Sequence, residues 1–162
     1  MYNIIDDFLP KNEFTEIDNI LSSNDFDWYY ESHINRLQEK DDLTSYFVHL
    51  FFSEGKASRF MHVLSPIFSR LKIKALIRIK ANLYPRTAVL EKHAPHCDYP
   101  FPHTGAIFYL NTNNGKTILD DGSEIASIKN RLLIFDSSKY HSSTSTTNAK
   151  ARINININYI PA

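Results

Sequence analysis

The 162 residues are about one domain's length, and 43% hydrophobic residues suffice for an ordinary core, so a single domain over 1–162 is expected. Lysine plus arginine equals aspartate plus glutamate at 18 each, which leaves no overall field to recruit nucleic acid or anionic lipid. The single cysteine, Cys97, excludes an internal disulfide, and the start from Met1 to Phe8 has neither the basic head nor the long apolar run of a secretory signal or membrane span, so a soluble cytoplasmic protein is expected.

Two helices come first in chain order. Phe14, Ile17, Ile20 and Leu21 recur at helical spacing after Pro10. Phe60, Val63, Leu64 and Phe68 do the same within 56–71, where Pro66 should bend or divide the helix. Between them the charged, aperiodic stretch 32–43 reads as a lid. From Ile73 the pattern turns to strands, predicted over 73–84, 104–112, 116–119, 123–128, 131–136, 140–145 and 152–160. Asn113-Asn114-Gly115, Asp121-Gly122 and Asn130 sit between these runs and offer the positive-φ residues that tight hairpins need. Short strands after two helices imply a mainly β (α+β) fold, an antiparallel double-sheet roll with the N-terminal helices packed on one sheet.

Two strands have one apolar and one polar side. In the first, Ile77, Ile79, Ala81 and Leu83 alternate with Arg78, Lys80, Asn82 and Tyr84; in the last, Ile153, Ile155 and Ile157 alternate with Arg152, Asn154, Asn156 and Asn158. Such polar sides either meet bulk water or line a cavity while the isoleucines pack on the helices.

His96-Cys97-Asp98 follows Pro95 and precedes Tyr99-Pro100-Phe101-Pro102, at a strand end entering an irregular loop. In an extended segment residues i and i+2 project to one side, so His96 and Asp98 can reach one ion while Cys97 faces away as a packing residue. A third ligand is offered by His141, just beyond the strong strand Leu132-Leu-Ile-Phe-Asp136. Two imidazoles and one carboxylate occupy one face of an octahedral ion and leave the other open, which suits a non-haem Fe(II) oxygenase. Zinc is less well suited, because no His-Glu-x-x-His or Cys-rich pattern lies near. His93 and His103 flank the triplet without a carboxylate two residues on, and His33, His49 and His62 read as structural.

An oxygenase that uses 2-oxoglutarate needs a fixed cation for the far carboxylate, and Arg152 is the candidate, since a guanidinium binds a carboxylate bidentately and stays charged. A hairpin through 142–150 would set the Arg152 strand beside the His141 strand. Tyr84 and Tyr109 either add neutral hydrogen bonds to the same acid or are core tyrosines.

Leu83-Tyr84-Pro85, His96-Cys97-Asp98, Ile107-Phe108-Tyr109-Leu110-Asn111, His141 and Arg152 together resemble, in order and type, the prolyl-4-hydroxylase-like branch of the 2-oxoglutarate- and Fe(II)-dependent oxygenases, including its short phage-carried members. The resemblance covers roughly 73–159. It implies a double-stranded β-helix (jelly roll) with His96, Asp98 and His141 on Fe(II), and with Arg152, Tyr109 and Tyr84 around 2-oxoglutarate. It further implies O2 as oxidant, a requirement for ascorbate to keep iron reduced, and hydroxylation of a peptidyl residue such as proline or of a small molecule. A phage-carried member would work in its host's cytoplasm. Arg78, Lys80, Asn82, Arg86, His93, Tyr99 and His103 are candidate substrate contacts. A rival of another class is a cupin-like module that binds a metal or small acid without catalysis.

Overall fold

The computed structural model describes residues 1–33 and 45–162, so the lid expected over 32–43 lies, apart from Ser32 and His33, outside the described residues. The elements run β1 (Asn3–Ile5), α1 (Lys11–Leu21), β2 (Tyr29–Glu31), β3 (Tyr46–Ser53), β4 (Lys56–Ala57), a 3-10 turn (Met61–Leu64), α2 (Ser65–Phe68), β5 (Ile73–Pro85) and β6 (Thr104–Tyr109). They continue with β7 (Lys116–Ile118), β8 (Glu124–Ala126), β9 (Leu132–Asp136), β10 (Ser142–Ser143) and β11 (Ala151–Pro161). The major sheet has the order β1-β9-β6-β11-β5-β3-β2, with β4 added on β3; the minor sheet is β10-β7-β8. All named strand pairs are antiparallel, and isolated bridges from Arg86, Lys92 and His96 to Thr146, Thr144 and His141 extend the minor side. This is the expected jelly roll.

The alternation along β5 and β11 is what makes two layers out of this chain. Ile79, Ala81, Ile155 and Ile157 are fully buried in one core with Phe14, Ile17 and Leu21 of α1 and with Leu64 and Ile67. Helix α1 forms as its stripe predicts, with the Phe14 amide bonded to the Pro10 carbonyl. On the opposite face, Ile107, Tyr109, Leu133 and Phe135 meet Leu119 and Ile125 in a second core. Arg152↔Tyr84, Asn154↔Asn82, Asn156↔Lys80 and Asn158↔Arg78 stand directly opposite one another on this inner face. The polar sides of β5 and β11 therefore line the space between the sheets.

Three expectations need correction. The helix over 56–71 does not form as one: Glu54 (φ 52°) and Gly55 (φ 73°) make a tight turn that folds Lys56–Ala57 back onto β3. Only Met61–Leu64 and Ser65–Phe68 are helical, and Pro66 sits in the first turn of α2, where its missing N–H is no loss. Second, Asn113, Asn114 and Gly115 have no positive φ; Gly122 (82°) and Asn130 (62°) do. Third, the strand bearing Arg152 is not beside that bearing His141, because β11 pairs with β5 and β6 whereas β10 pairs with β7. The chain between them crosses from one sheet to the other. Strands β1, β2 and β3 are additions, and among the described residues no helix is long and apolar enough to cross a membrane.

Candidate active site

His96 and His141 face each other across the two ends of the 86–96 and 141–146 segments, joined by reciprocal backbone hydrogen bonds, His96 N–H to His141 O (2.9 Å) and His141 N–H to His96 O (2.8 Å). Their ring centroids are 4.7 Å apart. Asp98, two residues along, is held by its own N–H on the Ser137 carbonyl (3.1 Å), and its carboxylate lies 3.9 Å from His96 Nε2 and 3.8 Å from His141 Nε2. The three offer one ligand atom each within 4.8 Å of one another. His141 Nδ1–H donates to the Lys139 carbonyl (3.0 Å), which turns Nε2 to the cluster. Burial, with His141 alongside, holds the His96 imidazole below its ordinary pKa despite the pull of Asp98, so it is neutral and fit to ligate at neutral pH. Cys97 is partly buried and stands outside the cluster.

Asp98 is the most tightly constrained of the three. Arg78 Nη2 donates to its Oδ1 (2.8 Å), while the Ser137 hydroxyl (2.6 Å) and Asn156 Nδ2 (3.1 Å) donate to Oδ2. The Asn158 amide, oriented by this network, donates to Oδ2 (3.1 Å) and accepts from Arg78 (3.2 Å). Burial by itself would raise the carboxyl pKa; Arg78, His141 and the bonds from Ser137 and Asn156 outweigh it and hold Asp98 well below the usual carboxylate range. Arg78, expected as a substrate contact, is thus the ion-pair partner of Asp98, its guanidinium also lying 5.3 Å over the Tyr99 ring. The role of Ser137 left no signal in the sequence, because a serine between two strands has many ordinary uses.

Arg152 lies four residues along β11 from Asn156 and is 1% exposed. Its Nε donates to Ser127 Oγ (2.8 Å) and Nη2 to Thr117 Oγ1 (3.0 Å), but Nη1 is buried with no hydrogen-bond partner, and no carboxylate pairs with it among the described residues. Tyr84 and Tyr109 flank the guanidinium at 5.5 and 5.8 Å from ring centre to Cζ, and the Tyr109 hydroxyl pairs with Thr117 (2.7 Å). Burial pushes both phenols up, more than Arg152 draws them down, so both keep their protons as donors. Gly115 makes the room: a Cβ there would stand 2.5 Å from Arg152 Cδ. A buried guanidinium held by two hydroxyls, with no counter-anion among the described residues, has the charge and the free N–H to accept a carboxylate.

The remaining candidates are scattered. His93 stacks on Tyr84 (5.2 Å) and pairs with Ser143 (2.7 Å); His103 packs against Tyr99 and Phe101 and bonds the Phe101 carbonyl (2.8 Å). The Arg86 backbone pairs with 146–150. His49 is buried between the Asp27 carbonyl and Ser58, and His62 bonds the Arg59 carbonyl, both away from the cluster as expected.

The fold is the double-stranded β-helix shared by 2-oxoglutarate/Fe(II) oxygenases. Solved structures with this architecture include a prolyl hydroxylase from Trichoplax adhaerens in complex with a hypoxia inducible factor oxygen degradation domain peptide fragment. It is 17% identical, with TM-score 0.66 over 99% of this chain and 83% of that one. A prolyl-4-hydroxylase from Pseudomonas putida is 14% identical, with TM-score 0.65 over 99% and 92%. An oxidoreductase of the 2OG-Fe(II) oxygenase family from Burkholderia pseudomallei is 9% identical, with TM-score 0.72 over 98% and 85%. At these identities the likeness is one of fold. No protein-family model and no curated protein matches the sequence.

Proposed function

We propose that this chain is a 2-oxoglutarate- and Fe(II)-dependent dioxygenase that hydroxylates a peptidyl residue such as proline or a small molecule, with 1–162 acting as one catalytic unit. The observation that carries this reading is the coincidence of a His-Asp-His cluster, tied to β11 through Asn156, and a buried Arg152 on the same strand whose Nη1 has no partner among the described residues. The donor set fits iron: His96 Nε2, His141 Nε2 and one Asp98 oxygen would hold the ion and leave the rest of its sphere open. Arg152 Nη1, with Tyr109 and Thr117, would take the far carboxylate of 2-oxoglutarate, and Tyr84 would close over it. When bound, iron and 2-oxoglutarate supply the oxidising chemistry with O2, ascorbate keeping the metal reduced. Arg78, Ser137 and Asn156 fix the carboxylate of Asp98. A passive cupin-like binder has no use for both an open metal face and a dicarboxylate anchor. The test is succinate release from 2-oxoglutarate with Fe(II) and ascorbate in the absence of substrate. Slow uncoupled turnover is expected, falling to background in His141→Ala; silence together with no 2-oxoglutarate binding by calorimetry refutes the reading.

A further inference from the structure

Arg78, Lys80 and Asn82 alternate along β5 and face the same interior, yet only one of the two cations is neutralised there. Arg78 is paired with Asp98 at 2.8 Å. Lys80, the next side chain inward, pairs with no carboxylate among the described residues; its Nζ contacts the neutral Tyr46 hydroxyl (3.2 Å) and lies 5.4 Å from that ring. Asp98 and Glu31 pull on its charge only from a distance, and burial together with Arg78 brings its pKa down to about 8.

The amides on either side of Lys80 are also incomplete. Asn82 gives its Nδ2 to Asn154 (3.0 Å), and Asn156, directly across from Lys80, gives its Nδ2 to Asp98 (3.1 Å). Both leave a buried Oδ1 with no partner among the described residues. Each such oxygen asks for a donor, as Lys80 asks for an anion. At neutral pH 2-oxoglutarate offers acceptors alone and, on the proposed reading, is anchored at Arg152, so it satisfies neither amide oxygen. A fully ionised phosphate likewise offers acceptors alone and would set its oxygens against these carbonyl oxygens. A carboxylate with an adjacent N–H group meets all three requirements.

We infer that Lys80 is the specificity residue of this site and that the primary substrate is a small, amino acid-like molecule whose free carboxylate pairs with Lys80 while its N–H group reaches the amide oxygens of Asn82 and Asn156. The inference rests on the oxygenase reading and narrows its substrate class, since the backbone of a residue inside a peptide presents no charge to Lys80.

The experiment measures succinate release by the iron-loaded protein with 2-oxoglutarate and ascorbate, adding in turn the twenty free amino acids, their carboxamides and a proline-rich peptide. At least one free amino acid should raise turnover above the uncoupled rate, and its carboxamide should not do so at the same concentration. In Lys80→Met the KM for that amino acid should rise about ten- to hundredfold, the loss of one charge-assisted bond, with partial recovery in Lys80→Arg. The Lys80→Met protein should still bind Mn(II) and N-oxalylglycine by calorimetry, which separates this effect from misfolding. The inference is overturned if carboxamides or the peptide stimulate as well as the acids, if no free amino acid stimulates while uncoupled turnover proceeds, or if Lys80→Met instead weakens N-oxalylglycine. Absence of uncoupled turnover in the unaltered protein is a different failure, and removes the oxygenase reading along with this one.

Discussion

Arg152 keeps a guanidinium at 1% exposure with one N–H pair unanswered, a cost of order kilocalories that the fold sustains through Ser127, Thr117 and two tyrosine faces. Replacing it with alanine removes the proposed anchor and leaves His96, Asp98 and His141 in place. Arg152→Ala is therefore expected to weaken 2-oxoglutarate binding by about ten- to hundredfold while Mn(II) affinity changes little, both measured by calorimetry. Equal loss of the two would assign the arginine to scaffolding. His96, Asp98, His141, Arg152, Tyr84 and Tyr109 stood out as candidates because each proposed chemistry admits few side chains, and the fold gathers the first three into one cluster and the last two around Arg152. What surrounds them was not. Ser137, Thr117 and Ser127 are common residues whose meaning comes from what stands opposite them, and Arg78 was legible as an inward cation but not as the partner of Asp98.

At the scale of elements, alternation was the reliable signal. Strands β5 and β11 alternate strictly and form as expected, with isoleucines toward α1 and amides and cations inward. Strand β3 escaped notice because Tyr-Phe-Val-His-Leu-Phe-Phe shows no such alternation: Phe51 enters the helix-side core while Tyr46 and Val48 pack with Tyr84 inside. The second helix was overextended because the spacing of Phe60, Val63, Leu64 and Phe68 is equally served by a 3-10 turn followed by one turn of α-helix. Turn chemistry at Glu54-Gly55 overrode it on the N-terminal side. The approach of β7 to β11 depends on Gly115 for space, not for backbone conformation. Its missing Cβ would stand 2.5 Å from Arg152 Cδ and 2.6 Å from the Ser145 carbonyl, which cannot swing aside. Gly115→Ala should destabilise the fold by about 1–3 kcal/mol in urea titration and weaken N-oxalylglycine, as overpacking does. Unaltered stability and affinity would show that this approach is not tight.

Across the molecule, the inner face of the major sheet carries a second apolar core at its β9 and β6 side and a polar interior at its β11 and β5 side. Unanswered groups at Arg152, Asn82 and Asn156 collect in that polar half. A fold with such an interior gains stability from whatever completes it. N-oxalylglycine at a hundredfold over its Kd, added to the Mn(II)-loaded protein, should contribute about 2.7 kcal/mol, a rise in Tm of several degrees read by calorimetry and reversed by a chelator. No rise with both present would mean that the interior does not take them up.

The linear order of residues by itself determined the secondary-structure regime, the inward and outward faces of β5 and β11, and the cast of chemical groups, because period and residue type are local properties. Only the tertiary structure decided which groups meet. The crossing between sheets after His141 sets Arg152 on β11 of the major sheet and not beside the His141 segment as expected, yet its side chain enters the same interior. The pairing of Arg78 with Asp98 and the lack of a carboxylate partner for Lys80 among the described residues depend on a strand register, and each is settled by packing between segments remote along the chain.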